Sequence, residues 1–117
     1  MTGVQTCALP IYLITGYLPA ESCEIYFNGE RSVQEKQMMA NKITHLLKGL
    51  ADLFIAHGDL KASNILIKDD QPYLIDLDSM RQYSNSKTCA RASMKDWNRF
   101  IRNWENDTNI AQFFIKK

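Results

Sequence analysis

The segment from His57 to Asp76 holds the residues of this chain that are best suited to chemistry. Asn64 and Asp76 carry hard oxygen atoms of the kind that Mg²⁺ prefers. They stand twelve residues apart, and a hairpin between them would fold the chain back so that both side chains reach one ion. Asp59 offers a carboxylate that can accept a proton, and Lys61 offers a positive charge. The sequence therefore predicts a magnesium site beside a general base.

Phosphoryl transfer needs these residue types, because it depends on positioning and charge neutralisation more than on covalent catalysis. Asp59 would accept the proton of the attacking hydroxyl group, and Lys61 would offset charge on the γ-phosphoryl oxygens of ATP. Four residues separate Asp59 from Asn64, as in the catalytic loop of protein kinases, where a second Asp follows at the end of a short strand. Asp76 stands in that place. The pattern predicts a kinase fold that uses ATP and Mg²⁺.

Three further residues near this set, His57, Gly58 and Asp78, are given mainly structural roles. His57 matches the histidine that braces the kinase loop, and we give it that structural role. Gly58 replaces the usual Arg, as in small-molecule kinases of this fold, which argues against a protein kinase activated by phosphorylation. Asp78 replaces the Gly of the D-F-G motif, so it predicts either a bent backbone or, more boldly, a second metal contact. Under the simpler alternative, Asp59, Asn64 and Asp76 only form turns and cap helices. That alternative does not explain why all three occur in this order.

Local patterns predict the elements that position these residues. Ser32 and Glu35 fit a capping box, and apolar residues then recur at spacings of three and four, which predicts a helix over residues 33–54. Short apolar runs at 65–67 and 73–75 predict the two strands of the hairpin. The site is therefore expected between a long helix and a hairpin.

The flanking segments are predicted with less regular structure. Residues 20–31 are polar and contain the turn signal Asn28-Gly29, and residues 79–92 have no clear period and predict a loop. Ser93 with Asp96 predicts the cap of a further helix, and Asp107 or Thr108 the cap of a last helical turn. The further helix carries an apolar stripe formed by Trp97, Phe100, Ile101 and Trp104.

The chain resembles the bacterial lipopolysaccharide core kinases, especially the kinase of 3-deoxy-D-manno-octulosonic acid (Kdo) and heptose-kinase-like proteins. Three segments carry the resemblance, and the second and third are the more specific: His57–Asn64, Leu74–Arg81 and Asp96–Trp104. The resemblance implies an α+β fold, the C-terminal lobe of a protein-kinase-like enzyme, mostly helical with a short β-hairpin that carries the metal site. It also implies ATP-dependent phosphorylation of a sugar hydroxyl, on Kdo or heptose, in the lipid-anchored inner core.

The resemblance covers about residues 12–117 and makes residues 12–18 the last strand of the small lobe and the hinge. The Gly16 carbonyl and the Leu18 N–H would then bind the adenine edge of ATP. Residues 2–11 resemble a translated sequencing adapter, so residues 1–11 are interpreted as a scar outside the fold. The glycine-rich loop, the strand lysine and its glutamate partner would lie upstream. We therefore expect an N-terminally truncated fragment that lacks the N-terminal lobe and is inactive by itself.

The charge distribution suggests a partner. Residues 1–80 contain six Lys and Arg against ten Asp and Glu, whereas residues 81–117 contain eight against three. Because the implied acceptor lies at an anionic membrane, we expect peripheral contact with the cytoplasmic face of the bacterial inner membrane. No apolar run in the sequence approaches the ~20 residues that a spanning helix needs. A solvated helix face is the equally weighted alternative. The basic residues concerned are Arg81, Lys87, Arg91, Lys95, Arg99 and Arg102.

Two other functions remain open. One is a small-molecule kinase of the aminoglycoside or choline type, against which the segment Asp96–Trp104 argues. The other is a non-catalytic, pseudokinase-like binding module, against which the set Asp59, Asn64 and Asp76 argues. We expect no nucleic-acid partner, because the basic residues lack a recognisable motif and the net charge is only +1.

Overall fold

The computed structural model describes residues 20–115. The predicted hinge, with Gly16 and Leu18, and the adapter-like segment lie outside these residues. Short 3₁₀ turns at Ala62–Asn64, Leu77–Ser79 and Arg102–Trp104 connect the longer elements. In chain order the elements are β1 (Glu21–Ser22), α1 (Cys23–Asn28), α2 (Val33–Asp52), β2 (Ile55–Ala56), β3 (Ile65–Lys68), β4 (Gln71–Leu74), β5 (Arg81–Gln82), α3 (Ser86–Ile101) and α4 (Thr108–Ala111).

Helix α2 confirms the predicted long helix and its capping box. The Ser32 Oγ accepts a hydrogen bond from the Glu35 N–H at 3.0 Å, and the Glu35 carboxylate accepts one from the Ser32 N–H at 2.9 Å. The helix ends at Asp52, two residues before the predicted end. Phe54 cannot continue it, because its φ of 62° lies in the left-handed region. The buried face of α2 consists of Met39, Ala40, Ile43, Leu46 and Leu50.

The hairpin of β3 and β4 is also confirmed. The two strands pair antiparallel with Ile65 opposite Leu74, and β1 pairs with the other edge of β3. Asp69 and Asp70 form the connection with φ values of 51° and 61°. Positive φ at both central residues gives the two-residue turn whose twist matches that of the strands. This turn fixes which residues follow the end of each strand.

The prediction for residues 20–31 was wrong, because β1 and α1 form there. The Ser22 Oγ accepts a hydrogen bond from the Ile25 N–H at 3.3 Å and caps α1. Cys23, Tyr26 and Phe27 of this helix are buried. Their spacing of three and four residues is typical of a helix. However, α1 has only six residues, which is too short for a helical period to be recognised in the sequence.

The start of α3 was also predicted wrongly. The helix begins at Ser86, and Asn85 caps it by accepting a hydrogen bond from the Thr88 N–H at 2.9 Å. Residues 86–92 are therefore helical, residues 81–82 form β5, and Ser93 lies inside the helix. Asp96 is a buried residue in the second half of α3 and has no capping role. The first turns of α3 carry few apolar residues, which is why the sequence resembled a loop.

Aromatic side chains join α1, α3 and the turn that follows α4 into one core. Phe100 and Phe114 meet edge to face, with ring centroids 4.8 Å apart, and Phe27 lies 5.2 Å from Phe114. Such aromatic pairs add about 0.5–1.5 kcal/mol beyond the burial of their area. Asp107 caps α4 as predicted, since it accepts a hydrogen bond from the Ile110 N–H at 3.2 Å. No helix within residues 20–115 has the length and apolar character needed to cross a bilayer.

Candidate active site

The candidate catalytic loop runs from β2 to β3, and His57 braces it from inside. The side chain of His57 is fully buried. Its Nδ1 accepts a hydrogen bond from the Asp59 N–H at 3.1 Å, so the proton of the neutral ring lies on Nε2. Nε2 then donates to the Ile75 carbonyl at 2.9 Å. The ring thus connects the backbone of Asp59 to the residue before Asp76, which is the bracing role predicted for His57.

Asp96 holds the start of the same loop. One carboxylate oxygen accepts a hydrogen bond from the His57 N–H at 2.8 Å, and the other accepts one from the Gly58 N–H at 3.0 Å. Burial raises the pKa of the Asp96 carboxyl, and the two backbone N–H groups oppose this by favouring the charged form. The sequence signal was an acidic residue four and eight positions before Phe100 and Trp104, on their buried side of the helix.

Asn103 holds the far end of the loop. Its Oδ1 accepts a hydrogen bond from the Ala62 N–H at 2.7 Å. Asp96 and Asn103 stand seven residues apart, which is about two helical turns, so both face the loop. The segment Asp96–Trp104, whose residue types carried part of the family resemblance, therefore fixes the loop at two points. The sequence did not predict either contact.

The backbone explains why Gly58 stands in the place of the usual Arg. Its φ is 92°, which favours glycine. A Cβ at this position would lie 2.5 Å from the Ser79 carbonyl oxygen. No side chain fits without a shift of one of the two segments.

Asn64 directly precedes β3, and Asp76 comes two residues after the end of β4, so both lie at the same end of the hairpin. The Ile75 N–H donates to the Asn64 carbonyl at 3.0 Å, which extends the pairing of β3 and β4 to the residue just before Asp76. Asn64 is buried, and its Nδ2 donates to the Asp59 carbonyl at 2.8 Å. This contact leaves the Oδ1 of Asn64 as the oxygen available to a ligand.

Asp76 carries the bend that the sequence placed at Asp78. The φ of Asp76 is 58°, in the left-handed region, whereas Asp78 lies in the 3₁₀ turn that follows. The carboxylate of Asp76 is exposed. With the Asn64 amide oxygen it makes a pair of hard ligands that suits Mg²⁺, which is commonly held by one or two carboxylates together with substrate phosphates. That Asn64 and Asp76 share one ion stays a prediction.

Asp59 and Lys61 lie on the loop between these supports, and both are partly exposed. The Lys61 N–H donates to the Asp59 carbonyl at 3.0 Å, and the Asn64 N–H donates to the Lys61 carbonyl at 2.8 Å. The predicted general base, the predicted catalytic cation and one predicted metal ligand thus occupy one hydrogen-bonded loop. Residues 20–115 contain no group of three or more His, Cys, Asp or Glu side chains able to hold a metal ion.

Comparison with protein families agrees with this loop. The model of the lipopolysaccharide kinase (Kdo/WaaP) family matches residues 18–114. The chain belongs to this family. The matched range includes the catalytic loop, the hairpin and both contacts from α3, so the resemblance drawn from the three sequence segments is confirmed.

A solved structure and two relatives show how much of this Kdo/WaaP family member is similar to other kinases. The Rio2 kinase complex with ADP, Mg²⁺ and phosphoaspartate from Chaetomium thermophilum superposes with a TM-score of 0.57 at 18% identity, over 87% of this chain and 34% of that one. This likeness confirms the kinase-like fold. The serine/threonine-protein kinases AfsK of Streptomyces griseus and Streptomyces coelicolor are 33% and 32% identical over 78 residues, which is 65% of this chain. The chain spans about a tenth of the length of these relatives.

Proposed function

We propose that this chain is the large-lobe part of an ATP-dependent kinase that phosphorylates a sugar hydroxyl, on Kdo or heptose, in the lipid-anchored inner core of lipopolysaccharide. The observation that carries the proposal is the hydrogen-bonded catalytic loop of a chain in the Kdo/WaaP family. Asp96 accepts hydrogen bonds from the N–H groups of His57 and Gly58, and the His57 ring accepts one from the Asp59 N–H, so the backbone that leads into Asp59 is fixed. A loop fixed in this way places its functional groups before the substrates arrive, which phosphoryl transfer requires.

In this proposal Asp59 positions the acceptor hydroxyl and accepts its proton. The backbone of Asp59 is held at its N–H by His57 and at its carbonyl by Asn64. The base and the metal ligand therefore keep a fixed relation, because they share a direct hydrogen bond. Lys61 offsets negative charge that the transferred phosphoryl group carries.

Mg²⁺ would be held by the Oδ1 of Asn64 and the carboxylate of Asp76. When bound, the ion neutralises charge on the β- and γ-phosphates of ATP. The Rio2 structure is a complex with ADP and Mg²⁺, which supports these ligands for a chain of the same fold. Contacts from the Gly16 carbonyl and the Leu18 N–H to the adenine belong to the same proposal.

A serine/threonine-protein kinase is the second candidate. The two AfsK relatives favour it, at 33% and 32% identity over 78 residues. Gly58 favours the sugar kinase, because its backbone excludes the Arg side chain that protein kinases carry at this position. The family match over residues 18–114 points the same way.

ATP-dependent labelling of a Kdo–lipid A acceptor tests the proposal in the complete kinase to which this sequence is proposed to belong. Asp59→Asn removes the proton acceptor, so kcat should fall by about 10²–10⁴-fold with the KM for ATP little changed. Asp76→Asn removes a charged metal ligand, so it should weaken Mg²⁺-ATP binding and lower kcat together. Asp52→Asn, at the exposed end of α2, is the matched control.

Two results would count against the proposal. Near-normal labelling by the Asp59→Asn variant would contradict the base assignment. Labelling of a protein acceptor, with none of Kdo–lipid A or of a heptose-containing acceptor, would favour the second candidate.

A further inference from the structure

An open cavity of about 370 Å³ lies between the catalytic loop and α3. Asp59 lines it on the loop side, and Lys95, Arg99 and Arg102 line it on the helix side. This volume falls at the small end of the range for ligand sites in proteins. The candidate general base therefore shares a cavity with three basic side chains.

The same helix that anchors the loop also positions these cations. Lys95 and Arg99 of α3 and Arg102 of the 3₁₀ turn that continues it are spaced by four and three residues, so they lie on one side of this segment. Lys95 immediately precedes Asp96, and Arg102 immediately precedes Asn103. Since Asp96 and Asn103 are hydrogen-bonded to the loop, the basic side of α3 is held next to it.

The charges of the three cations are not compensated by ion pairs. Within residues 20–115, no carboxylate lies within 4.0 Å of their charged nitrogens, since the ion pairs found there involve Arg31 and Lys68. Two carboxylates line the cavity, those of Asp59 and Asp96. Both oxygens of Asp96 already accept backbone hydrogen bonds. An anion on the helix side would thus meet three cations.

Three of the six basic residues from Arg81 to Arg102 line this cavity. Arg81, Lys87 and Arg91 are exposed and lie outside its lining. Arg91 is on the same helix, about one turn before Lys95. The helix thus supplies both the cavity cations and a matched basic residue outside it.

We propose that Lys95, Arg99 and Arg102 bind an anionic oxygen group, a carboxylate or a phosphate, on the acceptor sugar and so select acidic sugars over neutral ones. This inference rests on the proposed function and names the class of its acceptor. Guanidinium groups bind carboxylate and phosphate with paired hydrogen bonds. An anion held at α3 places the rest of the sugar toward Asp59, across the cavity.

Binding to the 117-residue chain is the first test. The probes are free Kdo, which carries a carboxylate, inorganic phosphate, and a neutral hexose. Isothermal titration should detect Kdo or phosphate but not the neutral hexose. The double variant Arg99→Gln/Arg102→Gln should weaken anion binding by about tenfold or more, whereas Arg91→Gln should leave it unchanged. Equal loss in both variants, or equal binding of the neutral sugar, overturns the inference.

Kinetics in the complete kinase distinguish the two sources of the anionic group. The acceptor is deacylated, so that attraction to a membrane does not contribute, and is compared with forms whose carboxylate is reduced or whose phosphates are removed. For the form that keeps the recognised group, Arg99→Gln/Arg102→Gln should raise the acceptor KM by about tenfold or more, with the KM for ATP unchanged. Arg99→Lys, which keeps the charge, should recover part of the loss. An unchanged acceptor KM, or preference for an acidic peptide over every anionic sugar, overturns the inference.

Failure of the proposed function gives a different result. If no sugar is phosphorylated by the unsubstituted enzyme, the sugar-kinase proposal fails, and the binding test with Kdo and phosphate still decides whether the cavity takes an anion. If sugars are phosphorylated equally well by the unsubstituted enzyme and the double variant, the function stands and the cation assignment fails. A melting temperature matching that of the Arg91→Gln variant shows that the double variant is folded.

Discussion

At the scale of single residues, the site depends on backbone positions that few side chains tolerate. Gly58 adopts a φ of 92° beside the Ser79 carbonyl, and Asp76 adopts a φ of 58° at the end of the hairpin. Left-handed conformations cost most non-glycine residues about 1 kcal/mol or more. The sequence selects Asp59, Asn64 and Asp76 as candidate site residues, because their order and spacing follow a known pattern. The left-handed backbone at Asp76 could not be predicted, because Asp tolerates this conformation but does not require it.

Replacement of Gly58 by Ala tests the first of these positions. The added Cβ would lie 2.5 Å from the Ser79 carbonyl oxygen and would face an unfavourable φ. We expect the free energy of unfolding to fall by about 2 kcal/mol or more, measured by urea denaturation. Gly49→Ala, inside α2, is the control and should be neutral or stabilising, since Ala is the better helix former. Equal stability of the two variants would contradict the steric argument.

At the scale of elements, local signals predicted α2 and the hairpin, and long-range contacts decided what the sequence missed. The capping box of α2 and the turn at Asp69 lie within a few residues of the elements they define. Asp96, by contrast, bonds to His57 across 39 positions of sequence, and Asn103 bonds to Ala62 across 41. No local pattern contains such partners. The sequence therefore predicted the elements around the loop, including most of α3, but not the contacts that fix the loop.

The contacts to the loop from Asp96 of α3 and from Asn103 of the 3₁₀ turn that follows should contribute unequally to stability. Asp96→Ala leaves the buried N–H of His57 and the N–H of Gly58 without their acceptor, whereas Asn103→Ala leaves one N–H, that of Ala62. An unsatisfied buried donor costs about 1–3 kcal/mol. We expect the Asp96 variant to be the less stable, with faster amide hydrogen exchange at His57 and Gly58. Exchange at these two amides that matches the Asn103 variant would show that Asp96 does not hold the loop.

The start of α2 should be sensitive to acid. The hydrogen bond from the Ser32 backbone N–H lowers the pKa of the Glu35 carboxyl below its ordinary value of 4.5. A lowered folded-state pKa adds stability above the unfolded-state value, and this stability is lost as the pH falls through the folded-state pKa. Glu35→Gln should remove this part of the acid dependence, which appears as the pH falls below the ordinary pKa of the carboxyl, as followed by urea denaturation. Glu30→Gln, in the exposed loop before the cap, should retain it.

At the scale of the whole molecule, the structure divides the basic residues of the second half into two groups. Lys95, Arg99 and Arg102 face the cavity beside Asp59. Arg81, Lys87 and Arg91 are exposed and lie outside its lining, and Lys95 and Arg102 are exposed as well. If the acceptor is anchored in a membrane, the enzyme must work close to an anionic surface. We therefore propose that Arg81, Lys87 and Arg91 support peripheral association with the cytoplasmic face of the inner membrane, while the three cations that line the cavity serve the acceptor.

Vesicle co-sedimentation of the complete kinase tests this division. Each basic residue near an anionic surface contributes about 1 kcal/mol, and salt screens this attraction over a Debye length of about 8–10 Å. Binding should therefore require anionic lipid and weaken as salt rises. The triple variant Arg81→Gln/Lys87→Gln/Arg91→Gln should lose most of it, and Arg99→Gln/Arg102→Gln should lose much less, because Arg99 and Arg102 line the cavity beside the loop, where the acceptor is proposed to bind. If vesicle binding depends on neither lipid charge nor salt, or if both variants lose it equally, these residues are only the solvated face of a helix.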